Sequence, residues 1–145
     1  NLPNAKSINL YPSLCFFEGT NVSAGRGTNL QFQVYGSPYL HKSDYSFTPK
    51  PNEGATYPKH KNTRVYGENL STSKRLTAIN LEWLLSAYKQ NTSDEFFNSF
   101  FTKLAGTKKL QQQIAQGVSE KDIKKSWEIE LNAFKKTRAN YLLYK

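Results

Sequence analysis

Residues 79–91, INLEWLLSAYKQN, mark the point at which the texture of the chain changes. Leu81, Leu84, Leu85 and Tyr88 fall at i, i+3, i+4 and i+7, the spacing that gathers apolar side chains on one side of a helix. Thr77 or Asn80 is placed to cap its start. The remainder of the chain, from Ser93 on, also reads as helical. SDEFFNSFF opens at Ser93, with two acids where a helix dipole favours them. GTKKLQQQIAQG starts at Thr107, sets Leu110 and Ile114 on one face and stops at Gly117. Ser119, with Asp122 three residues on, caps a last helix whose Ile123, Trp127, Leu131, Phe134 and Tyr141 keep a 3.6-like period over about five turns.

Upstream, from Asn1 to about Thr77, the chain is rich in Gly, Pro, Asn, Ser and Tyr. Its apolar runs, such as SINLYPSLCFF and LQFQVYG, are short and predict short strands and one brief helix joined by long ordered loops. FQVYG and KNTRVYG have the β-branched and aromatic content of strands, each stopped by a glycine. Between them, residues 37–62 carry four prolines and no sustained period, which predicts a surface excursion; loops of that length tend to carry function or to be mobile. No internal repeat interrupts the pattern. The expected architecture is one α+β domain over residues 1–145, a strand-and-loop half followed by a helical half packed on it.

Composition supports a folded chain. Of 145 residues, 37% are hydrophobic and 21% charged, and nine Tyr, nine Phe and two Trp provide large bodies for a core. The net charge of +9 favours acidic partners such as nucleic acid, anionic envelope polymers or membrane surfaces, although scattered lysines also serve solubility. Cys15 has no second cysteine to pair with and reads as a small buried hydrophobe. No apolar run approaches the roughly 18 residues of a membrane span. The first residues have neither the basic nor the apolar region of a signal peptide, and Met is absent, so the chain reads as a mature product or an excised domain.

Several chemistries lack their residues. The histidines, His41 and His60, lie in the proline-rich excursion without metal-ligand spacing and are expected to be exposed loop residues; neither a metal nor a cofactor is called for. Cys15, flanked by apolar residues, lacks the electropositive setting of a reactive thiolate. The basic last helix carries Glu120, Lys121 and Asp122 where a helix-turn-helix reader would need base-directed side chains, so a nucleic-acid binder is the weakest reading.

The densest cluster of directed polar groups is FFEGTNVSAGRGT, residues 16–28. Gly19, Gly25 and Gly27 shape the loop, and Glu18, Asn21, Ser23, Arg26 and Thr28 are its candidate ligand-facing residues. Gly-Arg-Gly-Thr suits an anion, through backbone amides and the arginine, but the Lys-Ser/Thr of a nucleotide loop is missing. An ion pair between Arg26 and Glu18 within a simple turn is the plainer reading. Glycoside hydrolysis uses two carboxyl groups, and this motif holds one.

This motif, followed by FQVYGSPYL, FTP, KLAGTKKLQQQIAQGVSEKDIKKSW and FKKTRANYLLY, resembles the C-terminal domain of the NamZ-like exo-β-N-acetylmuramidases, long filed as a domain of unknown function. The resemblance spans nearly the whole chain, and the stretch from Lys59 to Ala78 matches it in outline alone, so no role carries over there. It implies a two-part bacterial envelope protein, periplasmic or secreted. By the same resemblance, a larger N-terminal Rossmann-like domain would hold the catalytic glutamate, and the substrate cleft would lie between the two parts. The implied activity is release of terminal N-acetylmuramic acid from peptidoglycan fragments, and the implied partners are those fragments and the N-terminal domain. Arg26 would then grip the lactyl carboxylate of muramic acid. Asn21 would meet N-acetyl or hydroxyl groups, Glu18 would orient Arg26 or accept hydroxyls, and Tyr35 and Tyr39 would offer a stacking platform. The competing reading is a noncatalytic module that binds anionic envelope glycans through the +9 charge.

Overall fold

Asn4 starts the first helix. Its side chain accepts the Ser7 amide at 2.9 Å while the Ser7 hydroxyl accepts the Asn4 amide at 3.3 Å, a reciprocal cap that satisfies two otherwise orphaned donors. The computed structural model describes residues 2–144. Helix α1 (Ala5–Leu14) buries Ser7, Leu10 and Leu14 on one face and runs into a 3-10 turn, Cys15–Gly19. Three short strands come next, β1 (Val34–Ser37), β2 (Tyr45–Phe47) and β3 (Val65–Asn69), and then the helices α2 (Glu82–Gln90), α3 (Phe101–Ala105), α4 (Lys109–Ala115), α5 (Glu120–Lys125) and α6 (Glu128–Ala139). The result is a small α+β domain whose strand-and-loop half precedes its helical half.

The sheet is antiparallel with order β1-β3-β2. Tyr35 faces Glu68 across one ladder and Phe47 faces Val65 across the other. Two details differ from the sequence reading. Gly36 and Gly67 sit inside their strands, paired with each other, because two bare backbones can approach closely there. The excursion also contributes β2, a three-residue half-buried edge too short to show a period.

The core draws on both halves: Leu10, Leu14, Phe17, Val22, Phe32 and Tyr35 meet Leu81, Leu84, Phe101, Leu110, Ile114 and Ile123. Burying such side chains stabilises the domain by roughly 1.5–3 kcal/mol each. Cys15 packs against this core half-buried.

In the helical half, α5 has the expected Ser119 cap, whereas α4 starts after Lys108, which makes no side-chain cap bond. The Thr107 hydroxyl accepts the Lys109 amide at 3.1 Å and the Ser119 hydroxyl accepts that of Asp122 at 3.2 Å, with Gly117 left-handed at φ 71°. For α2 the cap position is Leu81, which makes no side-chain cap bond; Asn80, just before it, accepts the Trp83 amide at a long 3.4 Å. SDEFFNSFF is not a helix except at its last residue, Phe101, which opens α3. The Ser93 and Asn98 side chains accept the amides of Glu95 and Phe100, local bonds that compete with a helix. Its backbone pairs instead with the motif, Asn21 N to Phe96 O at 2.8 Å and Asn98 N to Gly19 O at 3.0 Å. The last helix is two helices. Ser126 donates its hydroxyl back to the Ile123 carbonyl at 2.7 Å, a 3-10-like turn brings Trp127 N to Lys124 O, and α6 leaves the core with no buried residue.

Candidate functional site

Phe17 anchors the motif. It is fully buried and stacks on Tyr35 with ring centroids 4.8 Å apart. Tyr35 is therefore a core residue rather than a sugar platform, and its hydroxyl donates to Glu68 at 2.5 Å. Burial, reinforced by that carboxylate, pushes the Tyr35 phenol far above its usual range. Tyr39 is exposed and stands edge-on to His60.

From this anchor the loop turns outward along a cavity of about 620 Å³, whose wall includes Glu18, Ser23 and Arg26 on one side and Tyr57, Pro58 and Lys59 on the other. Arg26 donates from both Nε and Nη2 to Glu18 Oε1, at 2.9 and 2.8 Å, and its guanidinium lies 5.1 Å from the Phe32 ring centre. The plainer sequence reading, an Arg26–Glu18 pair, is thus present. Since one carboxylate oxygen takes both bonds, Glu18 Oε2 and the remaining guanidinium N–H groups stay available. Both side chains remain partly open to solvent.

The other predicted residues divide. The Ser23 hydroxyl accepts the Gly25 amide at 3.3 Å on the cavity wall. The Asn21 side chain points into the helical half and donates to Asn91 Oδ1 at 2.9 Å and to the Glu95 carbonyl at 2.8 Å. The Thr28 hydroxyl donates to the Gly25 carbonyl at 2.7 Å and accepts the Leu30 amide at 2.9 Å, closing the glycine turn. Gly19 lies where a Cβ would stand 2.5 Å from Phe101 Cα, while Gly25 and Gly27 are left-handed.

Sequence reasoning missed Lys59, which comes from the excursion. Its ammonium donates to the carbonyls of Phe17 at 2.9 Å, Val22 at 3.1 Å and Thr20, so one side chain ties down three carbonyls of the motif. Burial pushes its pKa down to about 8, against the opposing charge of Glu18. No signal separates it from the other Lys and Arg residues, 20 in all, in the sequence. With Arg26 and Lys59 set against Glu18, the cavity carries a net positive charge and suits an anion.

His60 is half-buried rather than exposed, held at φ 58° with Nε2 donating to the Asn21 carbonyl at 2.5 Å. Burial lowers its pKa, the Asn21 carbonyl opposes that and Lys59 adds to it; the net direction is down. The unfolded chain therefore takes up this proton first as pH falls. Stability from His60 is fully present above about pH 6.5 and is lost as pH drops through the lower folded value. His60→Gln is expected to flatten the fall in Tm between about pH 7 and 5. A parallel fall in parent and variant would contradict this.

Among the described residues no group of three or more His, Cys, Asp or Glu could hold a metal ion, and no helix is long and apolar enough to cross a membrane. Burial, then the charge of Glu18, raise the Cys15 thiol pKa and keep it protonated.

Residues 9–144 match the family described as exo-β-N-acetylmuramidase NamZ, C-terminal. The chain belongs to this NamZ C-terminal family. It is 31% identical over 168 aligned positions to the peptidoglycan β-N-acetylmuramidase NamZ of Bacillus subtilis (strain 168), covering 99% of this chain and 39% of that protein. It also matches the 1.30 Å crystal structure of a DUF1343 family protein from Bacteroides fragilis NCTC 9343, with a TM-score of 0.90 and 44% identity, over 99% of this chain and 42% of the other. The chain thus spans about two-fifths of the length of these two relatives.

Proposed function

We propose that this domain completes the substrate cleft of a peptidoglycan glycoside hydrolase of the exo-β-N-acetylmuramidase type. The hydrolytic carboxylate would come from a larger N-terminal part of the same protein. The observation that carries the reading is the Arg26–Glu18 pair, fixed on a net positive cavity with guanidinium donors to spare. N-acetylmuramic acid carries a lactyl carboxylate, and a planar guanidinium held in place by a neighbour is suited to grip it with two parallel bonds.

The geometry suggests a role for each residue. Arg26 takes the carboxylate, Glu18 holds Arg26 and offers Oε2 to a sugar hydroxyl, and Ser23 and Tyr57 offer a hydroxyl and an exposed aromatic face. Asn21, Thr28 and Lys59 act through the shape of the loop. Among the described residues the cavity wall has a single carboxylate, Glu18, and acid-base hydrolysis of a glycosidic bond uses two. The domain therefore binds and does not cleave. Such a protein works in the bacterial envelope or outside the cell, where peptidoglycan fragments are.

The runner-up, a noncatalytic module for anionic envelope glycans, draws on the +9 charge. Titrating the isotope-labelled chain with N-acetylmuramic acid at low and high salt separates the two. The expected result is amide shifts centred on residues 18–28 and 55–59 that persist at about 0.2 M salt, where diffuse surface charge is largely screened. No sugar should be released from a chromogenic muramide by the chain alone. Turnover by residues 1–145, or salt-labile shifts spread over surface lysines, would contradict the proposal.

A further inference from the structure

Helix α6 leaves its apolar stripe uncovered. The stripe begins at Trp127, whose side chain packs against the core, continues through Leu131 and Phe134 on α6, and is followed by Tyr141 just past the helix end at Ala139. Beyond the core contact it lies in solvent: Phe134 is 61% exposed and Tyr141 79%, and Leu143 and Tyr144 after them are also exposed. An isolated helix of this length is marginal in water and owes its stability to the face it packs. A stripe that starts in the core and then runs bare needs a cover.

Three observations choose the cover. The family match runs to residue 144, so the arm belongs to the family pattern and is not peculiar to this chain. The Bacteroides crystal structure matches 99% of this chain, so the match takes in most or all of the arm. In that structure the domain is 42% of a longer polypeptide, which supplies further surface. We propose that the α6 stripe and the residues after it seat this domain against the N-terminal part of the same protein. Lys135 flanks the stripe and Arg138 lies on it, so the receiving surface is an apolar groove with an acidic rim. This inference rests on the proposal that such a part precedes the domain, and it assigns the surface that joins the two.

Amide hydrogen exchange over residues 128–144 tests it, comparing the protein that includes its preceding chain with residues 1–145 alone. Exchange is expected to be at least about 100-fold slower in the longer protein, and Leu131→Asp with Phe134→Asp should restore fast exchange. Equal exchange in both would overturn the proposal. So would protection in residues 1–145 that grows with protein concentration, which would make the cover a second copy, or protection that requires anionic lipid vesicles. An upstream coding sequence with no preceding domain would overturn it as well. Muramide turnover by the longer protein, measured in parallel, keeps the two proposals apart. An unprotected arm in an active enzyme overturns the docking alone, whereas a protected arm in a protein inactive on muramides supports the docking and removes the glycosidase reading.

Discussion

Gly27→Ala is expected to destabilise the domain by about 2–5 kcal/mol and to open the cavity. Two effects add. Gly27 sits at φ +80°, where an L side chain costs about 1–2 kcal/mol, and a Cβ there would lie 2.7 Å from the Lys50 carbonyl oxygen and from Pro58 Cβ and Cγ. Backbone and a proline ring cannot rotate aside, so the excursion would have to move off the motif, a strain of about 1–3 kcal/mol. That movement would shift Pro58 and the cavity wall it belongs to, and would strain the bond by which Lys50 N donates to the Gly27 carbonyl at 2.8 Å. Gly106 is the control. It too is left-handed, at φ +69°, but a Cβ there meets nothing within 4 Å, so Gly106→Ala should cost the conformational part alone. Denaturant unfolding of the two variants measures the difference. Equal costs would show that the excursion does not rest on Gly27.

The motif is legible in the sequence because its glycines and polar side chains stand out locally: three glycines around Glu18 and Arg26 announce a shaped polar loop whatever the fold. The Gly117 stop, the Ser119 cap and the local Thr107 bond at the start of α4 are legible for the same reason, since the two hydrogen bonds join residues two or three apart. Strands β1 and β3 can be read from Val34, Tyr35, Val65 and Tyr66, whereas β2 cannot, because three half-buried edge residues show no pattern. Long-range contacts decide the rest. Phe96 and Phe97 sit in an aromatic cluster with Tyr88 and Phe101 and pair with the motif backbone, and no local propensity reports that pairing. Periodicity identifies the stripe from Ile123 to Tyr141 but does not say what covers its outer half. Lys59 is invisible because a lysine that ties three carbonyls reads the same as one in solvent.

Arg26 is proposed to recognise the carboxylate that distinguishes muramic acid from glucosamine. Its Nε and Nη2 are committed to Glu18 Oε1 at 2.9 and 2.8 Å, which fixes the guanidinium plane before ligand arrives and lowers the ordering cost of binding. Hydrogen bonds to a charged group contribute about 1.5–3 kcal/mol, a factor of about 10 to 150 in affinity. Arg26→Ala removes them, and Arg26→Lys keeps the charge without the paired donors and should fall between. Loss of Arg26 also frees Glu18, whose charge then repels a carboxylate, so the effect on an acidic sugar should lie toward the upper end of that range. The most direct measurement is the affinity of parent and Arg26→Ala for N-acetylmuramic acid and for N-acetylglucosamine at one salt concentration. The expected result is a loss of about 10- to 150-fold for the muramic acid with little change for glucosamine; an equal loss for both sugars, or none for either, would contradict this role for Arg26.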